Sequence, residues 1–379
     1  MYAASNEFHQ AVANGNPQMA LLIFKDAVFT HEDIDVDSGI EYDDNFNMEK
    51  DIAIGQTPSC EIRFALFNDD RLLNDYEFGE FTATIGVLIG TNTYTQAGSA
   101  MVTTGYATYI GSDSAPHLRR NGNPVQVQPN FPVKSLLGYD GKLWAFSDDG
   151  RYAVYNDATG ANITSENPLN AFMRSKSVRF SGKGIYYNAS SRILFIYEAG
   201  ERSRYEFVPL GVFNAERPNA PDQIRIDMDC MDRMQKFEKD MPTADELGIS
   251  YPTTIGNLFK KLCDYVGVPY RTTTFINSSA TIDSEPEAFK NSTMRAVLGW
   301  IAEAGASNLR FDRDGYLKFD WLKDTGQAYD ESMYSEYEPY WYETQTVNKL
   351  YSRDTTSGED ATVGNGDIGY LIQNNPLLT

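Results

Sequence analysis

Residues 60–67 read CEIRFALF, and residues 79–90 read GEFTATIGVLIG. In the first stretch Cys60, Ile62, Phe64 and Leu66 alternate with Glu61, Arg63, Ala65 and Phe67, the period of two of a half-buried strand. The second is β-branched and punctuated by glycines, which suits a bent barrel strand better than a helix. Working outward, strands are expected at Met19–Lys25, Ser59–Phe67, Glu77–Leu88 and Ala100–Ile110. A short helix starts at Ser5, with Phe8, Ala11 and Val12 as its apolar face. The first 110 residues therefore predict a small β-barrel or sandwich.

The texture changes near Gly111. GSDSAPHLRRNGNPVQVQPNFP (111–132) is poor in apolar residues and reads as a loop. Short strands follow in LLGYDGKLWAFSDDGRYAVYND, SVRFSGKGIYYN and RILFIYEAGERSRYEFVPL, with hairpin turns expected at Asp140-Gly141 and Asp149-Gly150. From Tyr205 the pattern changes again, with a strand, a proline-rich turn and a second strand at Gln223–Met228. Ile255, Leu258, Phe259, Leu262, Cys263 and Val266 then recur at helical spacing, capped by Thr253 or Thr254 and closed by Gly267. A second helix runs from Ser292 through Met294, Val297, Leu298 and Ile301 to Gly305, and a hairpin turns at Asp314-Gly315. The tail from Tyr334 returns to aromatic strands.

The 379 residues carry 53 acidic and 32 basic side chains, a formal charge of −21. That balance excludes a sequence-independent DNA binder, which must neutralise phosphates with lysine and arginine, and argues against an anionic-membrane binder. Hydrophobic residues at 41% and aromatics at 13% place the chain among folded proteins. No apolar run reaches the ~18 residues of a spanning helix. MYAASNEFHQ has neither the basic nor the apolar region of a signal peptide, so synthesis in the cytoplasm without secretion is expected.

Catalytic chemistry has few carriers. His9, His31 and His117 stand beside no nucleophile motif, and H-E-x-x-H, G-x-S-x-G and a phosphate-binding loop are all missing. Cys60, Cys230 and Cys263 are too few and too scattered for a disulfide framework or zinc spacing; Cys60 and Cys263 read as buried free thiols. Asp33, Asp35 and Asp37 suggest a calcium loop. From Asp33, however, position six is Ser38 and position twelve is Asp44, where glycine and glutamate are required. No catalytic, cofactor or metal residue is assigned. Two aromatic groups remain as contacts for a glycan or a partner: Trp144, Tyr152 and Tyr155 in the meander, and Tyr340 and Trp341 within the run Tyr334, Tyr337, Tyr340, Trp341, Tyr342.

Several longer stretches carry a family resemblance: MYAASNEFHQAVANGNPQMALLIFKDAVFTHEDI with IGQTPSCEIRFALFN, then GVFNAERPNAPDQIRIDMDCMDRMQKFE, YPTTIGNLFKKLCDYVGV and NSTMRAVLGWIAEAGASNLRFDRDGYLKFDW, up to NNPLL. Together they resemble the hub or tail-associated proteins of Gram-positive siphophages and prophages, a family related to the baseplate hub of contractile phages. The resemblance covers most of the chain outside about 112–203 and rests on a diffuse pattern.

It implies an α+β, predominantly β fold with two hub-type barrels, an inserted β-meander and a helix-helix-hairpin module. The expected bounds are 1–111 with 204–222 for the first barrel, 112–203 for the meander, 223–250 with 330–379 for the second barrel, and 251–329 for the module. It also implies a homotrimeric hub ring in the virion tail tip, joined to distal tail and tape-measure or tail-tube proteins. DNA would pass through without being bound, and the acidic charge would then repel it from the lumen wall. Longer relatives add a peptidase, a wall hydrolase or fibre repeats at the carboxy end. This sequence reaches Thr379 without one, so a non-enzyme is expected. The competing readings are an adhesin for a host cell-surface glycan and a carboxylate-based wall hydrolase.

Overall fold

The computed structural model describes residues 4–24, 28–30, 33–35, 37–44, 54–68, 73–74, 77–93, 105–110, 116–139, 141–147, 151–164, 183–188, 190–198, 200–215, 224–321, 349–353, 360–364, 369–372 and 375–378. The chain divides into two compact units, residues 1–41 with 63–230, and residues 42–62 with 231–379. It is mostly β, and its large sheet curls into a half-barrel.

The first unit opens with helix α1 (Asn6–Ala13) and strands β1 (Gln18–Phe24), β2 (Val28–Thr30), β3 (Ile40–Asp43), β4 (Glu61–Phe67) and β5 (Glu80–Thr93). Along β4 and the residue before it, Cys60, Ile62, Phe64 and Leu66 are buried and Arg63 and Phe67 exposed, as the alternation predicts; Ala65 is buried as well. Strands β6 (Tyr106–Ile110), β7 (Pro116–Arg120), β8 (Asn123–Pro124), β9 (Ser135–Tyr139), β10 (Lys142–Phe146), β11 (Tyr152–Asn156), β12 (Lys183–Asn188) and β13 (Ile193–Glu198) come next. The long β14 (Glu201–Ala215) and β15 (Arg225–Asp232) follow them.

The pair β5 and β14 organises this unit. They run antiparallel from Glu201 opposite Thr93 to Asn214 opposite Glu80, so the chain between them is an insertion between hydrogen-bonded neighbours. The register slips at Arg204/Tyr205 and Pro209/Gly211, and such irregularities bend a ribbon. At Gly86 a Cβ would stand 2.6 Å from the Phe207 ring, so only glycine lets that ring lie flat on the opposite strand. On one side of β5 come β1 and then β2; beyond β14 come β15, β4 and β3. After β2 the chain turns onto β4, where Asp35 N–H donates to Ala65 O and Phe67 N–H to Asp33 O, both at 2.9 Å.

Phenylalanines fill this curl. Phe24 stacks on Phe81 at 4.6 Å, and Phe81 also meets Phe64 and Phe213 at 5.8 and 5.9 Å. Phe8 and Ala11 of α1 pack with Val87 and Val208. Ser5 caps α1, and its backbone N–H donates to the buried Glu206 at 2.9 Å. Val12 departs from the expected apolar face and is 44% exposed, because this short helix meets the sheet along a single line.

The expected loop at 111–132 instead holds β7 and β8, which form a three-stranded sheet with β6. Leu118 of β7 is fully buried in a cluster with Tyr106, Leu136, Leu143 and Tyr155. Strands β9 and β10 pair antiparallel with Tyr139 opposite Lys142, as expected of a hairpin at Asp140-Gly141; Asp140 of its turn lies outside the described residues. The meander strands also continue the large sheet, through β9 beside β12 and β13 beside β14.

The second unit holds helix α2 (Ala244–Leu247), strand β16 (Thr253–Thr254), helix α3 (Ile255–Val266), strand β17 (Thr281–Ile282), helix α4 (Met294–Ala304) and the hairpin of β18 (Asn308–Phe311) and β19 (Leu317–Asp320). Thr254 caps α3, Thr293 caps α4, and Gly267 ends α3 in the left-handed conformation. Of the predicted stripe, Ile255, Leu258, Phe259, Leu262 and Cys263 are fully buried against Val297, Leu298 and Ile301 of α4, and Val266 is half-buried at its end. Strands β20 (Lys349–Arg353), β21 (Asp360–Gly364) and β22 (Gly369–Ile372) form a separate three-stranded sheet.

Strand β15, assigned to a second barrel, hydrogen-bonds in the large sheet. Residues 233–249 form a 3-10 turn and α2, whose Met234, Phe237 and Leu247 join the core of α3 and α4. Their apolar residues sit at short, irregular spacing around Pro242, which hides helical turns from a periodicity reading.

Candidate functional site

The meander rings do not share a face. Leu143 pairs with Tyr155, whereas Trp144 pairs with Val154, and Phe146 with Tyr152, so Tyr155 points away from the side of Trp144 and Tyr152. Tyr155 is fully buried and donates its hydroxyl to Val127 O at 2.7 Å, and burial pushes its pKa up to about 12. Trp144 is buried and Tyr152 half-buried. A sugar needs a ring face open to solvent, which Tyr155 and Trp144 lack. Tyr340, Trp341 and the rest of the tail aromatic run lie outside the described residues.

The other reactive groups serve the fold. Cys60, Cys230 and Cys263 are buried free thiols, all pushed up by burial, Cys230 to about 12. Asp33 accepts from Thr30 N–H at 2.7 Å, and Asp35 pairs with Arg225 at 2.7 Å while accepting from Asp37 N–H. These carboxylates pin a turn. Among the described residues no three ligand side chains converge on a metal position. His9 is exposed on α1 and His117 half-buried on β7; His31 lies outside the described residues.

A cleft of about 470 Å³ lies within the second unit, between the extended residues Ile54–Thr57 and α4. Thr293, Ala296, Trp300 and Glu303 recur every three or four residues and present one face of α4 to it. The extended wall is tied down at Gly55, Gln56 and Thr57. Gly55 N–H donates to Ser307 O and Gln56 N–H to Asn308 Oδ1, each at 3.0 Å. Arg295 reaches Thr57 O with Nη2 at 2.6 Å and Nε at 3.1 Å, and its Nη1 pairs with Glu238. Gly55 is left-handed at φ +86°, and a Cβ there would stand 2.9 Å from Glu303 Cβ, so glycine alone allows this close approach.

Glu303 is half-buried. Its Oε2 accepts from Asn375 Nδ2 at 2.9 Å, and burial raises its carboxyl above the ordinary range. The Trp300 ring stacks on Phe289 at 6.1 Å, nearly parallel. Behind the wall, the buried Asp232 accepts from Cys60 N–H and Met234 N–H, both at 2.9 Å, and desolvation pushes it up to about 6. Among the described residues the cleft thus offers one carboxylate, one indole and an arginine already bonded to Thr57 and Glu238. The sequence reading followed the buried stripe of α4 and passed over its other face; a signal lay in Gly55 and Gly299, two glycines placed where chains meet closely.

Neither a family model, a curated protein nor a solved structure matches this chain.

Proposed function

We propose that this chain is a structural, non-catalytic subunit of a phage or prophage tail tip, of the Gram-positive siphophage kind. In this reading it forms a trimeric hub ring that closes or continues the tail tube and anchors host-recognition or wall-penetration parts. The observation that carries it is the curled sheet. Residues 33–35 lie along β4 after β2 has paired with β1, and phenylalanines line the curl. That is the makings of a small barrel with a long insertion between β5 and β14, in keeping with a hub barrel bearing a projecting part. Neighbours would be distal tail and tape-measure or tail-tube proteins, with DNA passing unbound.

Cryo-electron microscopy of intact tails tests the reading. Density for three copies at the tip is expected, with carboxylates facing the lumen, where the −21 charge of each copy would repel DNA. Absence of the chain from the tip would sink the proposal. A lumen lined by lysine and arginine would remove that role for the charge.

A further inference from the structure

The geometry of the α4 cleft points to a docking site for an arginine side chain of a protein partner, held between the Glu303 carboxylate and the Trp300 ring. Among the described residues two charged side chains line the cleft, and they differ in how far their charge is met. Arg295 is paired with Glu238 and bonded to Thr57. Glu303 has only the neutral amide of Asn375, and no cation pairs with it among the described residues. A half-buried carboxylate without a counter-charge has lost part of its hydration with little in return, and an incoming cation restores that loss. The raised carboxyl of Glu303 is the expected companion of such an unmet charge.

Trp300 and Glu303 are three residues apart on α4 and both line the cleft, so their side chains are surface neighbours. An indole beside a carboxylate favours a guanidinium over an ammonium. The planar fork can meet both carboxylate oxygens while lying against a ring, whereas an ammonium is a point charge. The volume of about 470 Å³ lies within the usual range of ligand clefts and leaves room for flanking peptide backbone. A chain of charge −21 also draws basic segments toward it. This inference stands apart from the hub reading, which microscopy of tails tests separately.

The test titrates the full chain with a glycine-serine peptide holding one central arginine, and with the same peptide holding uncharged citrulline. Tryptophan fluorescence is the readout, assigned with Trp300→Phe. Saturable binding of the arginine peptide is expected, at least about tenfold tighter than citrulline. Glu303→Gln should lose a similar factor. Binding to the unaltered protein should weaken as the pH falls through the raised Glu303 range, because a neutral carboxyl has no charge to offer. Equal binding of arginine and citrulline peptides, or no saturable change, overturns the proposal. An unchanged affinity in Glu303→Gln does so too. Because the citrulline comparison uses unaltered protein, it decides the matter even if Glu303→Gln folds poorly. If blocked arginine amide binds as tightly as the peptide, the cleft serves a small molecule and the claim of a protein partner fails.

Discussion

Compare the phenylalanine-lined curl of the first unit with the helical core of the second. Phe24, Phe64, Phe81 and Phe213 come from β1, β4, β5 and β14, strands that begin at residue 18 and end at residue 215. Phe259, by contrast, is buried with Leu258, Leu262 and Cys263 of its own helix, and its ring meets Tyr270 and Phe275 a short way along the chain, with Phe319 of β19 the one distant ring. Both are deeply buried. One needs distant strands in the right register before any ring is covered, whereas the other gathers most of its contacts locally. Loop-closure entropy makes the first kind slow to form, and local contacts make the second kind quick.

The comparison breaks most visibly if its two central rings are removed. Phe81→Ala and Phe259→Ala should each cost about 3–5 kcal/mol, since each empties a fully packed site. Urea denaturation measures the loss, and hydrogen exchange locates it. Exchange should rise in β1, β5 and β14 for Phe81→Ala, and in α3 and β19 for Phe259→Ala. A small loss at Phe81 would mean that the curl is held by its backbone ladders instead of its rings.

A middle-sized effect belongs to Asp232. Its carboxyl is harder to ionise in the folded chain than in the unfolded one, so the folded state is the better proton binder between about pH 4 and about 6. Its contribution to stability is therefore greatest at the acid end and falls as the pH rises through about 6. Asp232→Asn replaces one of two acceptor oxygens by a donor facing a backbone N–H, and should cost about 1–3 kcal/mol. The gap between wild type and variant should be widest at pH 4 and narrow toward pH 7. A gap that stays constant would show that Asp232 titrates in its ordinary range.

The smallest effect tests the local character of the second core. Thr254→Ala removes the side-chain acceptor for Asn257 N–H and should cost about 1 kcal/mol in thermal or urea melts. A loss of several kcal/mol would mean that β16, to which Thr254 also belongs, matters more than the cap.

Legibility followed the same divide. Helices α3 and α4 were readable to within a residue or two, because their stripes, caps and the closing Gly267 all lie within one short window. Strand β4 was readable from its alternation. The 3-10 turn and α2 at 233–249 were not, since their apolar residues lack a sustained period. Nor were β7 and β8, whose text is polar apart from Leu118. Of the aromatic residues offered as contacts, Trp144 and Tyr155 went into packing, a choice that strand pairing made and local text could not.

By itself the sequence determined an acidic, mostly β chain with one local helical module, its hairpins and its buried thiols, because composition and short-period patterning are properties of neighbouring residues. Only the tertiary structure decided that β5 and β14 are partners across a long insertion, and that β15 belongs to their sheet. It likewise decided that the outer face of α4 meets Ile54–Thr57 in a cleft where Glu303 has no counter-charge among the described residues. Those outcomes depend on which distant segments share a surface, and the energy that chooses among them, register, burial and unmet charge, exists only once the surfaces have met.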